Sequence, residues 1–440
     1  MRLAKLAVAL FSLTLTLPLP AQEVPVGHWK GVMTHDGAEV GIQFDIRESQ
    51  GHLVGSFTSL QQRVLEYPFD KLVYSAPKLH IDLAGGDTVF DGVLAHGILQ
   101  GTFQEQGEGD GTFHLERFTP APLPYSSENV TFRNEDVVLA ASVYIPRTSG
   151  EHPAIIFLQG SGPETRWGAN RFWADYFAQR GIAALIYDKR GTGESTGDWK
   201  KSDFNDLAGD AAAGIALLKH RAGVNPKQIG VYGHSQGGSI APLVAVRSGS
   251  VAFVISAAGT GISMLDSELY SWHTYLESQG LSGEALNNAD AFLQRAAQLA
   301  LSGDHGWEKW VAAQKAERNQ TWYKLVDPPP KDSEWWSSFP KTSNYNPAQY
   351  WRQLNVPVLV LEAGDDIDVP AERSIAAIRE ALSKGGNPDY TILLLPGAPH
   401  TFVVHTNPGQ PFHWPYLYHG YADLLAAWVR YRTMDHPVPE

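Results

Sequence analysis

Two segments place a serine between spaced glycines: Gly233-His234-Ser235-Gln236-Gly237 and Gly193-Glu194-Ser195-Thr196-Gly197. A serine hydroxyl is a weak nucleophile until a base removes its proton. Flanking glycines matter when the serine sits on a strained turn between a strand and a helix, where they keep side chains out of the bend. Context separates the two segments. Ser235 follows the apolar run Ile229-Gly230-Val231-Tyr232 and precedes the small, apolar stretch Gly237 to Ala245, with Pro242 in the first turns of the helix this predicts. Ser195 runs into polar Gly197-Asp198-Trp199-Lys200-Lys201, which cannot start a packed helix. Ser235 is therefore the candidate nucleophile, and Ser195 reads as a surface loop.

A nucleophilic serine needs a base, and histidine titrates near neutrality. The chain has 16 histidines, so position must choose among them. The base in turn needs an acid to fix its tautomer. The segment Gly364-Asp365-Asp366-Ile367-Asp368-Val369-Pro370 offers three aspartates. The chain has no cysteine, which removes thiol catalysis, thiolate metal sites, disulfides and lipid attachment through cysteine.

These groups must be held by regular elements. From about Ser126 the pattern alternates between strands and helices. Strands are predicted at Val137 to Ile145, Ala154 to Leu158, Ile182 to Tyr187, Gln228 to Tyr232, Val356 to Glu362 and Tyr390 to Leu395. Helices are predicted at Phe172 to Arg180, Phe204 to His220, Ala371 to Leu382 and Tyr418 to Tyr431. Such alternation predicts an α/β fold with a mostly parallel sheet covered on both faces. It pauses near Gly259 and resumes near Val356. The interval, about 259–350, is rich in tryptophan (Trp272, Trp307, Trp310, Trp322, Trp335 and Trp336) and has helical stretches at Leu265 to Gln279 and Ala285 to Leu301. It reads as an inserted helical cap.

The chain from Ser126 onward resembles the α/β-hydrolase superfamily, in particular bacterial serine esterases and acyl-peptidase-like hydrolases. Gly233-His234-Ser235-Gln236-Gly237-Gly238 is similar to the family's nucleophile turn. Phe157-Leu158-Gln159-Gly160-Ser161-Gly162-Pro163 resembles its loop after the third strand, and Asp188-Lys189-Arg190-Gly191-Thr192-Gly193-Glu194-Ser195 its Asp-x-Arg-Gly loop. Glu164-Thr165-Arg166 departs from the Asp-Arg pair more usual there.

The resemblance implies the order serine, acid, histidine. It selects His400, after the last strand and Pro396-Gly397-Ala398-Pro399, with His405, His413 and His419 as fallbacks. It selects Asp366, three residues before Val369-Pro370, with Asp365 as the alternative and Asp368 as a cap or surface residue. It implies an oxyanion hole from the backbone of Gln236 and of Ser161, with Gly160 allowing close approach. Arg190 is expected to brace loops beneath the site. No cofactor and no metal are implied.

The remaining sequence frames this. Residues 1–21 read as a signal peptide: Arg2 and Lys5, a short apolar run from Leu6 to Leu19, and a cleavage site after Ala21. The expectation is an exported protein, periplasmic or secreted, without stable membrane insertion. Residues 22–120 show short alternating runs, such as Val40 to Ile46 and Lys78 to Leu83, separated by glycine-containing turns. They predict an antiparallel barrel or sandwich and resemble lipocalin-like modules. Residues 121–440 would be the catalytic domain. The formal net charge of -13 and the lack of a basic run argue against nucleic acid as a partner. The expected activity is hydrolysis of a small, hydrophobic carboxylic ester through an acyl-enzyme. The alternatives are a serine peptidase or amidase, and a non-catalytic binding protein on a hydrolase scaffold. The oligomeric state is not legible.

Overall fold

The computed structural model describes residues 23–107, 109–303 and 306–434. The expected signal peptide, residues 1–21, lies outside them. The chain folds into two compact units. Among the described residues, the larger gathers Asp36–Ile42, Phe57–Tyr67 and those from Thr119 onward; the smaller gathers residues 23–35, Gln43–Ser56 and Pro68–Phe118.

The N-terminal segment forms one nine-stranded antiparallel sheet, in which Gly27–His35 pairs with Gly109–Arg117. Its end strands, Val64–Pro68 and Lys71–Ser75, are consecutive in the chain and separated by Phe69 and Asp70, so the sheet curls towards its own edge. Alternation decides the inner face. In Ala38–Ser49 the residues Val40, Ile42, Phe44 and Ile46 are all buried. Phe44, Phe90 and Phe113 meet edge to face or tilted, with ring centroids 5.1 to 6.0 Å apart.

The larger unit is built on an eight-stranded sheet: β1 (Tyr125–Asn134), β2 (Val137–Pro146), β3 (His152–Leu158), β4 (Ala183–Tyr187), β5 (Val224–His234), β6 (Phe253–Ala257), β7 (Val358–Ala363) and β8 (Tyr390–Leu395). The spatial order is β1-β2-β4-β3-β5-β6-β7-β8. Pairings among β3 to β8 are all parallel, while β1 with β2 and β2 with β4 are antiparallel. Every residue of β3, β4, β6 and β7 is buried, and all but His152, Ser256 and Glu362 are apolar, as expected of strands covered on both faces.

Helices cover both faces: α1 (Ala169–Ala178), α2 (Phe204–Lys219) and α3 (Gln236–Ser248), then α4 (Met264–Ser278), α5 (Gly283–Ser302), α6 (Trp307–Glu317), α7 (Tyr323–Val326), α8 (Trp335–Ser343) and α9 (Ala348–Trp351), and finally α10 (Ala371–Gly385) and α11 (Tyr421–Thr433). Helix α2 starts on a capping box in which Asp203 and Asp206 each bond the other's backbone N–H. Helices α4 to α9 fill the interval between β6 and β7, where the sequence predicts the inserted cap. Most cap tryptophans pack on the cap itself. Trp310 and Trp322 are buried against Phe292, and Trp307 and Trp336 pack around them.

Candidate active site

Strand β5 delivers the candidate nucleophile, Ser235. It ends at His234, and helix α3 begins at Gln236, so Ser235 is the whole turn. Ser235 has φ 56° and ψ -120°, a conformation that costs a non-glycine residue on the order of 1–3 kcal/mol. The neighbouring glycines are sterically required. A Cβ on Gly233 would lie 2.1 Å from the Gly237 carbonyl oxygen, and one on Gly237 2.7 Å from that of Leu158. The strained turn is held by the Ser235 N–H donating to the Ala257 carbonyl (2.9 Å) and by the Ser239 hydroxyl donating to the Ser235 carbonyl (3.1 Å).

Pro242 lies inside α3 and has no N–H for the Gly238 carbonyl four residues back. The buried Ser256 hydroxyl on β6 donates to that carbonyl instead, at 3.1 Å. A strand hydroxyl thereby repairs the helix behind Ser235.

Ser235, His400 and Asp366 form one hydrogen-bonded chain. Ser235 Oγ is 2.9 Å from His400 Nε2, and His400 Nδ1 is 2.8 Å from Asp366 Oδ2. The other Asp366 oxygen accepts the backbone N–H groups of Asp368 and Val369, each at 2.8 Å. An ionised carboxylate accepts only, so Nδ1 carries the proton and Nε2 is free to accept from the serine. The Asp366 side chain is fully buried and that of His400 is 13% exposed. Burial opposes the imidazolium, but the hydrogen bond to Asp366 and the charges of Asp366 and Asp368 outweigh it. The net effect raises the His400 pKa above its ordinary value.

The three competing aspartates separate cleanly. Asp366 is buried on His400, whereas Asp365 and Asp368 are exposed. Asp368 borders the same cavity as His400 and accepts from the Ser271 hydroxyl at 3.3 Å. It does not cap α10, whose N-cap is Pro370. His413 bonds the Trp414 carbonyl, and none of His405, His413 and His419 lines the cavity at Ser235.

That cavity, about 310 Å³, is bordered by Ser161, Ser235, Gln236 and His400, and by cap residues Met264, Ser267, Glu268 and Ser271. Gln236 and Glu268 are shared with a second chamber of about 510 Å³, walled by Trp199, Phe204, Trp272, Trp335 and Phe339. Of the cap tryptophans, then, Trp272 and Trp335 face open space. Gly160 lies behind this site. Its carbonyl accepts from Lys189 Nζ at 2.8 Å.

The Glu164-Thr165-Arg166 departure has a structural answer. Arg166 donates to Asp188 through its backbone N–H and Nη1, both at 2.8 Å, and reaches Glu194 through Nη2. Asp188 is fully buried and also accepts the Glu194 N–H (3.0 Å). Arg190 pairs with Asp210 at 2.7 Å and bonds Ser202 Oγ at 3.1 Å, bracing loops as expected. Ser195 belongs to this brace. Its hydroxyl donates to the Asp188 carbonyl (2.7 Å) and accepts from the Ala140 N–H (2.9 Å).

Sequence reasoning passes over two side chains that hold the site. His234 Nε2 is 2.8 Å from the His400 carbonyl. Its pKa is lowered to about 4 by burial, then by His400, so it is neutral and donates there. Tyr270 donates its hydroxyl to the Asp366 carbonyl at 3.0 Å. His234 stands inside the glycine-serine pentad, and its position beside Ser235 is the one signal that points to it.

Comparison with known proteins bears on this site. Residues 135–400 match the family described as X-Pro dipeptidyl-peptidase (S15 family). A 199-residue stretch is 28% identical to esterase EstD of Thermotoga maritima, covering 42% of this chain and 47% of that protein. A 135-residue stretch is 30% identical to the quorum-quenching protein AidA of Acinetobacter baumannii, covering 30% of this chain and 44% of that one. The chain thus spans about half the length of these curated relatives. Among solved structures, an esterase of Pyrococcus furiosus aligns over 72% of this chain and 95% of its own, with 16% identity and a TM-score of 0.47.

Proposed function

The chain belongs to the S15 family, described as X-Pro dipeptidyl-peptidase, and within it we propose a serine hydrolase that cleaves carboxylic esters through an acyl-enzyme. The continuous hydrogen bonding from Ser235 through His400 to Asp366 carries this reading. His400 takes the Ser235 proton as the hydroxyl attacks the ester carbonyl. The negative oxygen that forms is held by the N–H groups of Ser161 and Gln236, at the positive end of α3. His400 then gives its proton to the leaving alcohol. A water, activated by the same imidazole, releases the acid and restores the serine.

Similarity to an esterase supports the ester reading. The aromatic chamber that shares Gln236 and Glu268 with the serine cavity fits a hydrophobic acyl or alcohol part. The family's description favours a second reading, cleavage of an amide by the same residues. Export to the periplasm or medium, and a lipocalin-like identity for the front sheet, belong to the same proposal. Arg2, Lys5 and the apolar run after them support the first, and the antiparallel sheet the second.

The test is turnover of short p-nitrophenyl esters and of Xaa-Pro p-nitroanilides by the protein beside its Ser235→Ala and His400→Ala variants. Ester turnover lost in both folded variants supports the proposal. Preference for the anilides transfers the residue roles to a peptidase. Turnover that survives Ser235→Ala overturns both.

A further inference from the structure

Lys189 joins the two halves of the oxyanion hole. It stands in the loop after β4, is 3% exposed, and its Nζ has three acceptors. These are the Gly160 carbonyl (2.8 Å), the Gly162 carbonyl (3.1 Å) and Gln236 Oε1 (3.0 Å). The first two belong to the residues on either side of Ser161. The third is the side chain of the residue that supplies the other N–H.

The Gly160 carbonyl and the Ser161 N–H belong to one planar peptide group and point in opposite directions. A cation bonded to that carbonyl fixes the plane, and so aims the N–H. It also draws electron density from the peptide and makes the N–H a stronger donor. The Ser161 N–H makes no backbone hydrogen bond among the described residues. The Gln236 N–H opens α3, where no preceding turn supplies an acceptor.

We propose that Lys189 is the positioning residue of the oxyanion hole, setting the Gly160–Ser161 peptide and Gln236 so that their two N–H groups converge on the oxygen that becomes negative. This rests on the serine hydrolase reading above. The three acceptors use all three ammonium protons. A neutral amine has two protons and a lone pair, so deprotonation breaks one bond and turns a lone pair towards an acceptor. The brace therefore fails on the alkaline side.

The surroundings place that failure within reach. Burial lowers the Lys189 pKa to about 8, with Glu164 opposing. Glu164 comes from the loop after β3, while Lys200, Glu268 and Glu334 line the chamber that Lys189 also borders. The Trp199 ring centroid lies 5.3 Å from Nζ. His400 titrates in the opposite sense for activity, since it must be neutral to work.

The experiment measures the second-order rate at which a fluorophosphonate labels Ser235, across pH 6 to 10, in the full chain and in Lys189→Met and Lys189→Arg. No knowledge of the natural substrate is needed, and the phosphonyl oxygen occupies the same hole. Lys189→Met is expected to slow labelling about 100-fold at neutral pH, the scale of one lost oxyanion donor. The unsubstituted protein should lose rate above pH of about 8. Lys189→Arg should keep most of the neutral rate and lack that alkaline fall, because a guanidinium stays charged. A merely structural lysine would lower the amount of folded protein without creating a pH limb that arginine removes. Lys189→Met within about two-fold of the unsubstituted protein, or a flat rate to pH 10, overturns the inference. If Lys189→Met does not fold, the unsubstituted profile decides. A protein that labels well but fails these criteria leaves the hydrolase reading standing; one that never labels takes both down.

Discussion

The chain carries the same five-residue pattern twice, and the two copies do opposite things. Around Ser235 the glycines permit a strained strand-to-helix turn that leaves the hydroxyl on His400. Around Ser195 the pattern is part of a loop whose hydroxyl is used up between the Asp188 carbonyl and the Ala140 N–H. A Cβ on Gly193 would lie 2.4 Å from Asp188 Oδ2, so that glycine clears space for a buried carboxylate and not for a nucleophile. A glycine-serine-glycine spacing is therefore only an opportunity for a tight bend. What precedes and follows it decides whether the bend offers a reactive group or a brace.

The contrast is sharpest in rate. Ser235→Ala should cost about 10⁶-fold in kcat, as for a nucleophile that acts as one unit with its base. Ser195→Ala should leave kcat within about two-fold, because its hydroxyl faces backbone. Ester turnover on the two purified variants decides, and a large loss at Ser195 breaks the distinction.

Next in size is Asp366→Asn, expected to lower kcat about 10⁴-fold by favouring the wrong imidazole tautomer. The pH profile adds a direction. His400 must be neutral to accept a proton, and its pKa is raised, so activity should climb with pH through a midpoint above 6.5. Removing the carboxylate leaves burial as the main influence, and the midpoint should fall. A kcat/KM profile that keeps its midpoint in Asp366→Asn would contradict the assignment.

The Ser195 loop should instead respond in stability. Asp188→Ala removes the buried partner of the Arg166 guanidinium, leaving it only the exposed Glu194, and should cost about 3–5 kcal/mol in denaturant unfolding. Whatever remains folded should keep its rate per active serine. The smallest effect is expected at Ser256→Ala, which leaves the buried Gly238 carbonyl without the donor that replaces Pro242. The loss should be about 1–3 kcal/mol, with a modest effect on rate. An unchanged melting temperature would show that α3 does not need the repair.

Much of the scaffold is legible in the sequence because buried parallel strands leave long apolar runs. The pattern gives Tyr390–Leu395 to the residue, and Val137–Pro146 to within one. Strand β1 escapes it because Tyr125-Ser126-Ser127-Glu128-Asn129 pairs only with β2 and leaves most side chains in solvent. Strand β6 escapes it because Phe253-Val254-Ile255-Ser256-Ala257 lies just before the cap, where the alternation fades. Cap helices α8 and α6 are hidden as well: Pro340 interrupts the first, and the second mixes charge with tryptophan around its circumference.

The sequence by itself determined the local chemistry: which serine sits between a strand and a helix, and which loops follow which strands. Those features depend on neighbours a few residues apart, where turn sterics and burial periodicity act. Tertiary structure alone decided which partners meet. It buried Asp366 and left Asp365 and Asp368 exposed. It set His234 against the His400 carbonyl across a separation of 166 residues. It brought the Lys189 ammonium to Gln236 across 47. Such contacts depend on how strands far apart in the chain lie side by side, and no local pattern carries that information.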